Sequence, residues 1–126
     1  MNRKNFLRTT ALATAALGLP ALPAFAVNDD RKVRIALIGT GLRGQNHLEL
    51  MLRRTDVDIV AICDVDARML GMAKDIVSKS NKKMPQVYTG DNDAWKNLLE
   101  KEKLDAVLIA TPWEWHCPMV LGALDA

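Results

Sequence analysis

Apolar residues along the chain fall into two rhythms, and their alternation predicts alternating strands and helices. Mostly apolar runs, Val33 to Ile38, Asp58 to Cys63 and Asp105 to Ala110, read as strands buried on both faces. Between them lie stretches with apolar positions three and four apart, Leu42 to Arg53, Ala67 to Ser78 and Asp93 to Lys101, which read as amphipathic helices. Asn81-Lys82-Lys83-Met84-Pro85 is a loop by composition, and Gln86 to Tyr88 after it is a short third strand. A last helix is expected to begin near Cys117.

Strands that are apolar on both faces belong in a parallel sheet covered by helices on each side. The expected fold is therefore α/β, a partial Rossmann fold: a doubly wound parallel sheet of about four strands in the order 3-2-1-4. The chain stops at Ala126, in or just past the helix after strand 4, before the second half of such a fold and any C-terminal domain. The expectation is an N-terminal piece of a longer protein. Strand 4 would then keep an open edge, which admits pairing with another chain, a homo-oligomer included.

The first 26 residues stand apart from this pattern. Asn2 to Arg8 is basic, Thr9 to Leu22 is weakly apolar and rich in alanine, and Ala24-Phe25-Ala26 has the form of a signal cleavage site. Residues 1–26 are read as an export signal and residues 27–126 as the partial Rossmann domain. Gly18, Pro20 and Pro23 interrupt the apolar run, which falls short of the roughly 20 residues a membrane span needs. No stable membrane anchor is expected. Arg3-Lys4-Asn5-Phe6-Leu7-Arg8 is similar to a twin-arginine signal with lysine for the second arginine. That route exports proteins already folded around a cofactor, to the periplasm or beyond.

Composition then narrows the partners. Of 17 basic residues, Arg3, Lys4 and Arg8 leave with the signal, so the remainder carries one more acidic than basic residue. No basic surplus is left for nucleic acid. Cys63 ends strand 2 and Cys117 follows strand 4, two inter-strand spacings or roughly 9 to 10 Å apart, beyond the reach of a disulfide. Both are expected as free thiols, and neither has metal-ligand spacing with His47 or His116.

The chemistry is concentrated where strand 1 meets the first helix, at Gly39-Thr40-Gly41-Leu42-Arg43-Gly44. A lone G-x-G-x-x-G is weak, but here it follows a strand and opens a helix. In that setting Gly39 allows the sharp turn, Gly41 lets the backbone approach a pyrophosphate, and Gly44 lets the helix pack closely on the sheet. The N–H groups of Leu42 and Arg43 would point at the phosphates; the Arg43 side chain either adds a charge there or is simply solvated. Twenty residues past Gly44, Asp64 ends strand 2, placed to accept hydrogen bonds from a ribose and to repel a 2′-phosphate. The expected cofactor is NAD rather than NADP. Asp66 is read as interacting with the N-terminus of the next helix, and Arg68 as a charge that could soften the discrimination against NADP. Thr111 to Pro118 crowds two of three tryptophans, Trp113 and Trp115, with Glu114 and His116, into an expected loop at the ligand edge. These residues either wall the cofactor, with His116 hydrogen-bonding as a neutral imidazole, or cover the sheet's end and cap the next helix. His47 is read as an exposed helical residue, and Trp95 as packing its helix onto the sheet.

Val33 to Gly44, Cys63-Asp64-Val65-Asp66, and Ala110-Thr111-Pro112 with His116 together resemble the N-terminal half of the Gfo/Idh/MocA oxidoreductases. Within that group Gly39 to His47 and Thr111 to His116 are most similar to glycoside hydrolase family 109, the NAD-dependent alpha-N-acetylgalactosaminidases. The resemblance implies NAD contacts at Leu42, Arg43, Asp64 and Trp113 through His116, and a sugar as small-molecule substrate of the full-length protein. It also implies a reaction without net redox, in which the sugar is oxidised, loses its glycosidic substituent, takes up water and regains its hydride. The catalytic residues of such enzymes would lie beyond Ala126, so none is assigned here. Three functions stay open: the NAD-binding part of a sugar dehydrogenase or redox-assisted glycosidase, a non-catalytic nucleotide-binding module or inactive truncated product, and an NAD-linked regulatory domain.

Overall fold

The structure is a computed structural model and describes residues 31–126. The expected export signal and cleavage site lie outside the described residues. Eight elements alternate: β1 (Val33–Ile38), α1 (Leu42–Leu52), β2 (Val57–Cys63), α2 (Ala67–Lys79), β3 (Gln86–Tyr88), α3 (Ala94–Lys101), β4 (Ala106–Ile109) and α4 (Trp113–Asp125). All strand pairings are parallel, in the order β3-β2-β1-β4. This is the order expected from the sequence.

Two apolar layers hold the sheet between helices. Leu37 and Ile62 pack with Leu48 of α1 and with Leu70, Ala73 and Val77 of α2 on one face. Ala36, Ile38, Ala61 and Cys63 meet Trp95 and Leu98 of α3 and Met119 of α4 on the other. Full burial of a side chain such as Leu37, Leu48 or Leu98 contributes about 1.5 to 3 kcal/mol each.

One irregularity decides which way the end of β2 faces. The β1–β2 register runs Ile35 against Ile59 and then Ala36 against Ala61, so Val60 is an extra, unpaired residue. Before it, Val57 and Ile59 belong to the α1/α2 layer; after it, Ala61 and Cys63 belong to the α3/α4 layer. A bulge shifts strand parity by one. Every position after Val60, Asp64 included, therefore faces opposite to what strict alternation from Val57 would give.

The helix after β4 departs most from the sequence reading. It begins at Trp113, four residues before Cys117, and Pro118 lies inside it. Trp113 to His116 are thus the first turn of α4 and not a loop. Proline in a helix interior costs about 3 kcal/mol in general, but Trp115 and Met119, one turn apart, both pack on the α3/α4 layer and hold the helix across it. The remaining boundaries differ by a residue or two; Asp93 precedes α3 as its N-cap, for instance.

Candidate functional site

At the carboxyl edge of the sheet the ends of β1, β2 and β4 surround a cleft of ≈ 290 Å³. Its walls include Gly39, Gly41, Asp64, Met69, Thr111 and Trp115. Gly39 turns the chain at φ 94°, a conformation that side-chain-bearing residues rarely adopt. Its N–H donates to the Cys63 carbonyl at 2.8 Å, which ties the turn to the end of β2. From there the chain enters α1 with Gly41 as N-cap, and no side chain caps the helix. The first-turn N–H groups, which have no intrahelical acceptor in any helix, are thus left without a capping side chain and lie where the helix dipole favours an anion.

The three glycines are required for different reasons. A Cβ on Gly39 would sit 2.7 Å from the carbonyl carbon and oxygen of Ala110, and one on Gly44 would overlap the Gly39 carbonyl. Both are imposed by the protein's own packing. A Cβ on Gly41 would meet nothing within 4 Å, and its φ of −66° suits any residue. Neither crowding nor backbone strain explains the glycine there.

Asp64 is half-buried beside this turn. Its Oδ2 accepts the Thr40 N–H at 2.6 Å and the Thr40 hydroxyl at 3.0 Å, and its Oδ1 accepts the Asp66 N–H at 2.9 Å. Asp66 caps α2 by accepting the Arg68 N–H at 2.8 Å, and it also holds the Arg68 guanidinium at 2.9 Å. The guanidinium, followed by that N–H, keeps the Asp66 carboxyl below its ordinary range. Cys63, buried in the cleft wall, is pushed up to about 12, first by burial and then by the neighbouring Asp64 charge. It is a protonated thiol at neutral pH and a poor nucleophile.

The sequence-predicted residues divide between wall and rim. Gly39, Gly41, Asp64 and Trp115 line the cleft, and Gly44 lies beneath the turn. Leu42 and Arg43 are exposed at the start of α1; Trp113, Glu114 and His116 are exposed on the first turn of α4. His116 Nε2 lies 2.7 Å from the Thr111 carbonyl. A carbonyl only accepts, so this nitrogen carries a proton and a neutral ring leaves Nδ1 as the acceptor. His47 is half-buried on α1 and not exposed, because it flanks the buried face of the helix at Gly44 and Leu48. Trp95 packs α3 onto the sheet as expected, in one layer with Ala36 and Ile38, and its ring also reaches Gly122 of α4; its indole N–H is without a partner. Asp91 and Asn92, in the loop before α3, also line the cleft and carry no sequence signal beyond loop composition.

Compared with known proteins, residues 33–126 match the Gfo/Idh/MocA oxidoreductase family, NAD-binding Rossmann fold. The chain belongs to that family. A glycosyl hydrolase family 109 protein of Stenotrophomonas maltophilia is 48% identical over the whole chain, which covers 28% of that relative. One from Shewanella baltica is 34% identical, again over the whole chain and 32% of the relative. Among solved structures, myo-inositol dehydrogenase from Lactobacillus casei in complex with NAD(H) and myo-inositol superposes with a TM-score of 0.61 at 28% identity. That match covers 75% of this chain and 26% of the dehydrogenase. The chain thus spans under a third of the length of the curated relatives it matches, and within that span it is the family's NAD-binding domain.

Proposed function

We propose that the chain is the cofactor-holding N-terminal part of an exported sugar-active enzyme, a redox-assisted glycosidase acting on alpha-N-acetylgalactosaminides or a sugar dehydrogenase. The observation that carries the reading is Gly41: a glycine the fold does not need, standing at an uncapped helix start with Asp64 beside it. A pyrophosphate packed on that backbone supplies the missing reason. In this reading the N–H groups of Leu42 and Arg43 receive the pyrophosphate, Asp64 the adenosine ribose, and Trp115 walls the crevice. Trp113, Glu114 and His116, on the same turn as Trp115, form its exposed rim. When bound, NAD supplies a hydride acceptor and donor. The titratable side chains lining the cleft are Asp64, Asp91 and the protonated Cys63. The names of the relatives and the inositol complex support a sugar or sugar-like substrate.

The full-length protein carrying this chain, purified without denaturation, is expected to bind NAD. Asp64→Ala should weaken binding about tenfold or more, the loss of a hydrogen bond to a charged group. A native preparation that neither contains NAD nor binds it on titration would defeat the reading. Assay of an alpha-N-acetylgalactosaminide for hydrolysis, alongside NADH formation with free sugars, separates glycosidase from dehydrogenase. Export is proposed on the leader alone, and amino-terminal sequencing of the protein from its producing cell should begin at Val27. A mature protein that still starts at Met1 would rule out cleavage.

A further inference from the structure

Thr40, between the first two glycines, is wholly buried, yet its N–H and its hydroxyl both go to one atom, Asp64 Oδ2. A carboxylate only accepts, so the hydroxyl is the donor. The Thr40 carbonyl is in turn fixed by the buried Gln45 side-chain amide at 2.9 Å. With the Asp66 N–H on Oδ1, three of the roughly four lone-pair positions of Asp64 are filled. The one left is on Oδ1.

We propose that Thr40 is a positioning residue for the cofactor: by holding Oδ2 it makes Asp64 meet the ribose through Oδ1 alone, and so sets the preference for NAD over NADP. The proposal rests on the cofactor reading above. Two donors on one oxygen fix the rotation of the carboxylate, which cannot swing aside for a 2′-phosphate. The donors that could receive such a phosphate are also already spent, because the Thr40 N–H and hydroxyl and the Asp66 N–H all serve Asp64. Arg68, the nearby cation, is held by Asp66. Removing the Thr40 hydroxyl loosens the carboxylate while leaving the glycine backbone in place.

Calorimetric titration of NAD and of NADP into the full-length protein tests this, with Thr40→Val, Thr40→Ser, Asp64→Ala and the Thr40→Val/Asp64→Ala double variant. Thr40→Val should weaken NAD about fivefold, the worth of one hydrogen bond, with NADP unchanged or tighter. Thr40→Ser keeps the hydroxyl and should keep the preference. In the Asp64→Ala background Thr40→Val should change neither cofactor, as coupling through Asp64 requires. Equal weakening of NAD and NADP, or an undiminished effect without Asp64, overturns the proposal and leaves Thr40 a structural residue. If the valine variant does not fold, Thr40→Ala removes the same hydroxyl with less bulk and gives the same readout. Wild-type protein that binds no NAD, or Asp64→Ala that binds it normally, sinks the reading of the site itself and this proposal with it.

Discussion

Gly44→Ala is expected to cost at least about 3 kcal/mol, the upper range for overpacking a rigid site, and with it much of a marginal stability. The added Cβ would overlap the Gly39 carbonyl oxygen and lie 2.9 Å from the Gly39 carbonyl carbon. Neither partner can yield. Gly39 is pinned by its hydrogen bond to Cys63, and any shift toward β4 meets Ala110, whose carbonyl already leaves no room for a Cβ on Gly39. Urea unfolding followed by tryptophan fluorescence and far-ultraviolet circular dichroism measures the loss, Trp95 being buried in the folded state. Gly71→Ala is the matched control: it lies within α2 with nothing within 4 Å of an added Cβ. Exchanging a helical glycine for alanine in open space should stabilise by about 0.5 to 1 kcal/mol. Equal stability of Gly44→Ala and wild type would mean that α1 does not pack on the turn as closely as the structure has it.

The order of strands and the glycine turn were legible because each is written in local pattern: apolar runs of strand length, spaced by helical periods, with glycines at one junction. The start of α4 was not. Pro118 reads locally as a helix beginning, and what overrides it is packing between Trp115, Met119 and α3, residues that no local window relates. The bulge at Val60 was equally invisible, since β2 is apolar throughout its second half and its parity cannot be read from hydrophobicity. Yet that extra residue determines the face on which Asp64 emerges. Thr40 carries no sequence signal for a related reason. It occupies a position that the glycine motif leaves free, and its role exists only because β2 ends beside it.

Gly41→Ala should show the opposite division of effects from Gly44→Ala three residues away. Stability is expected to change by less than about 1 kcal/mol, the difference between glycine and alanine at a helix N-cap, because the backbone there is ordinary and the Cβ enters open space. NAD affinity is expected to fall about fivefold or more, since a methyl on a rigid turn cannot move away from a bound pyrophosphate and such crowding costs about 1 to 3 kcal/mol. Measured together on the full-length protein, unfolding free energy and NAD binding separate the glycine that the fold requires from the one that the ligand requires. If Gly41→Ala loses stability as Gly44→Ala does, the turn is crowded in a way the structure does not show. If it keeps both stability and affinity, the pyrophosphate does not lie on this backbone, and the helix start loses its place in the site whatever Asp64 contributes. A loss of affinity with stability intact leaves the ligand as the main reason for the glycine, since neither crowding nor backbone strain supplies one.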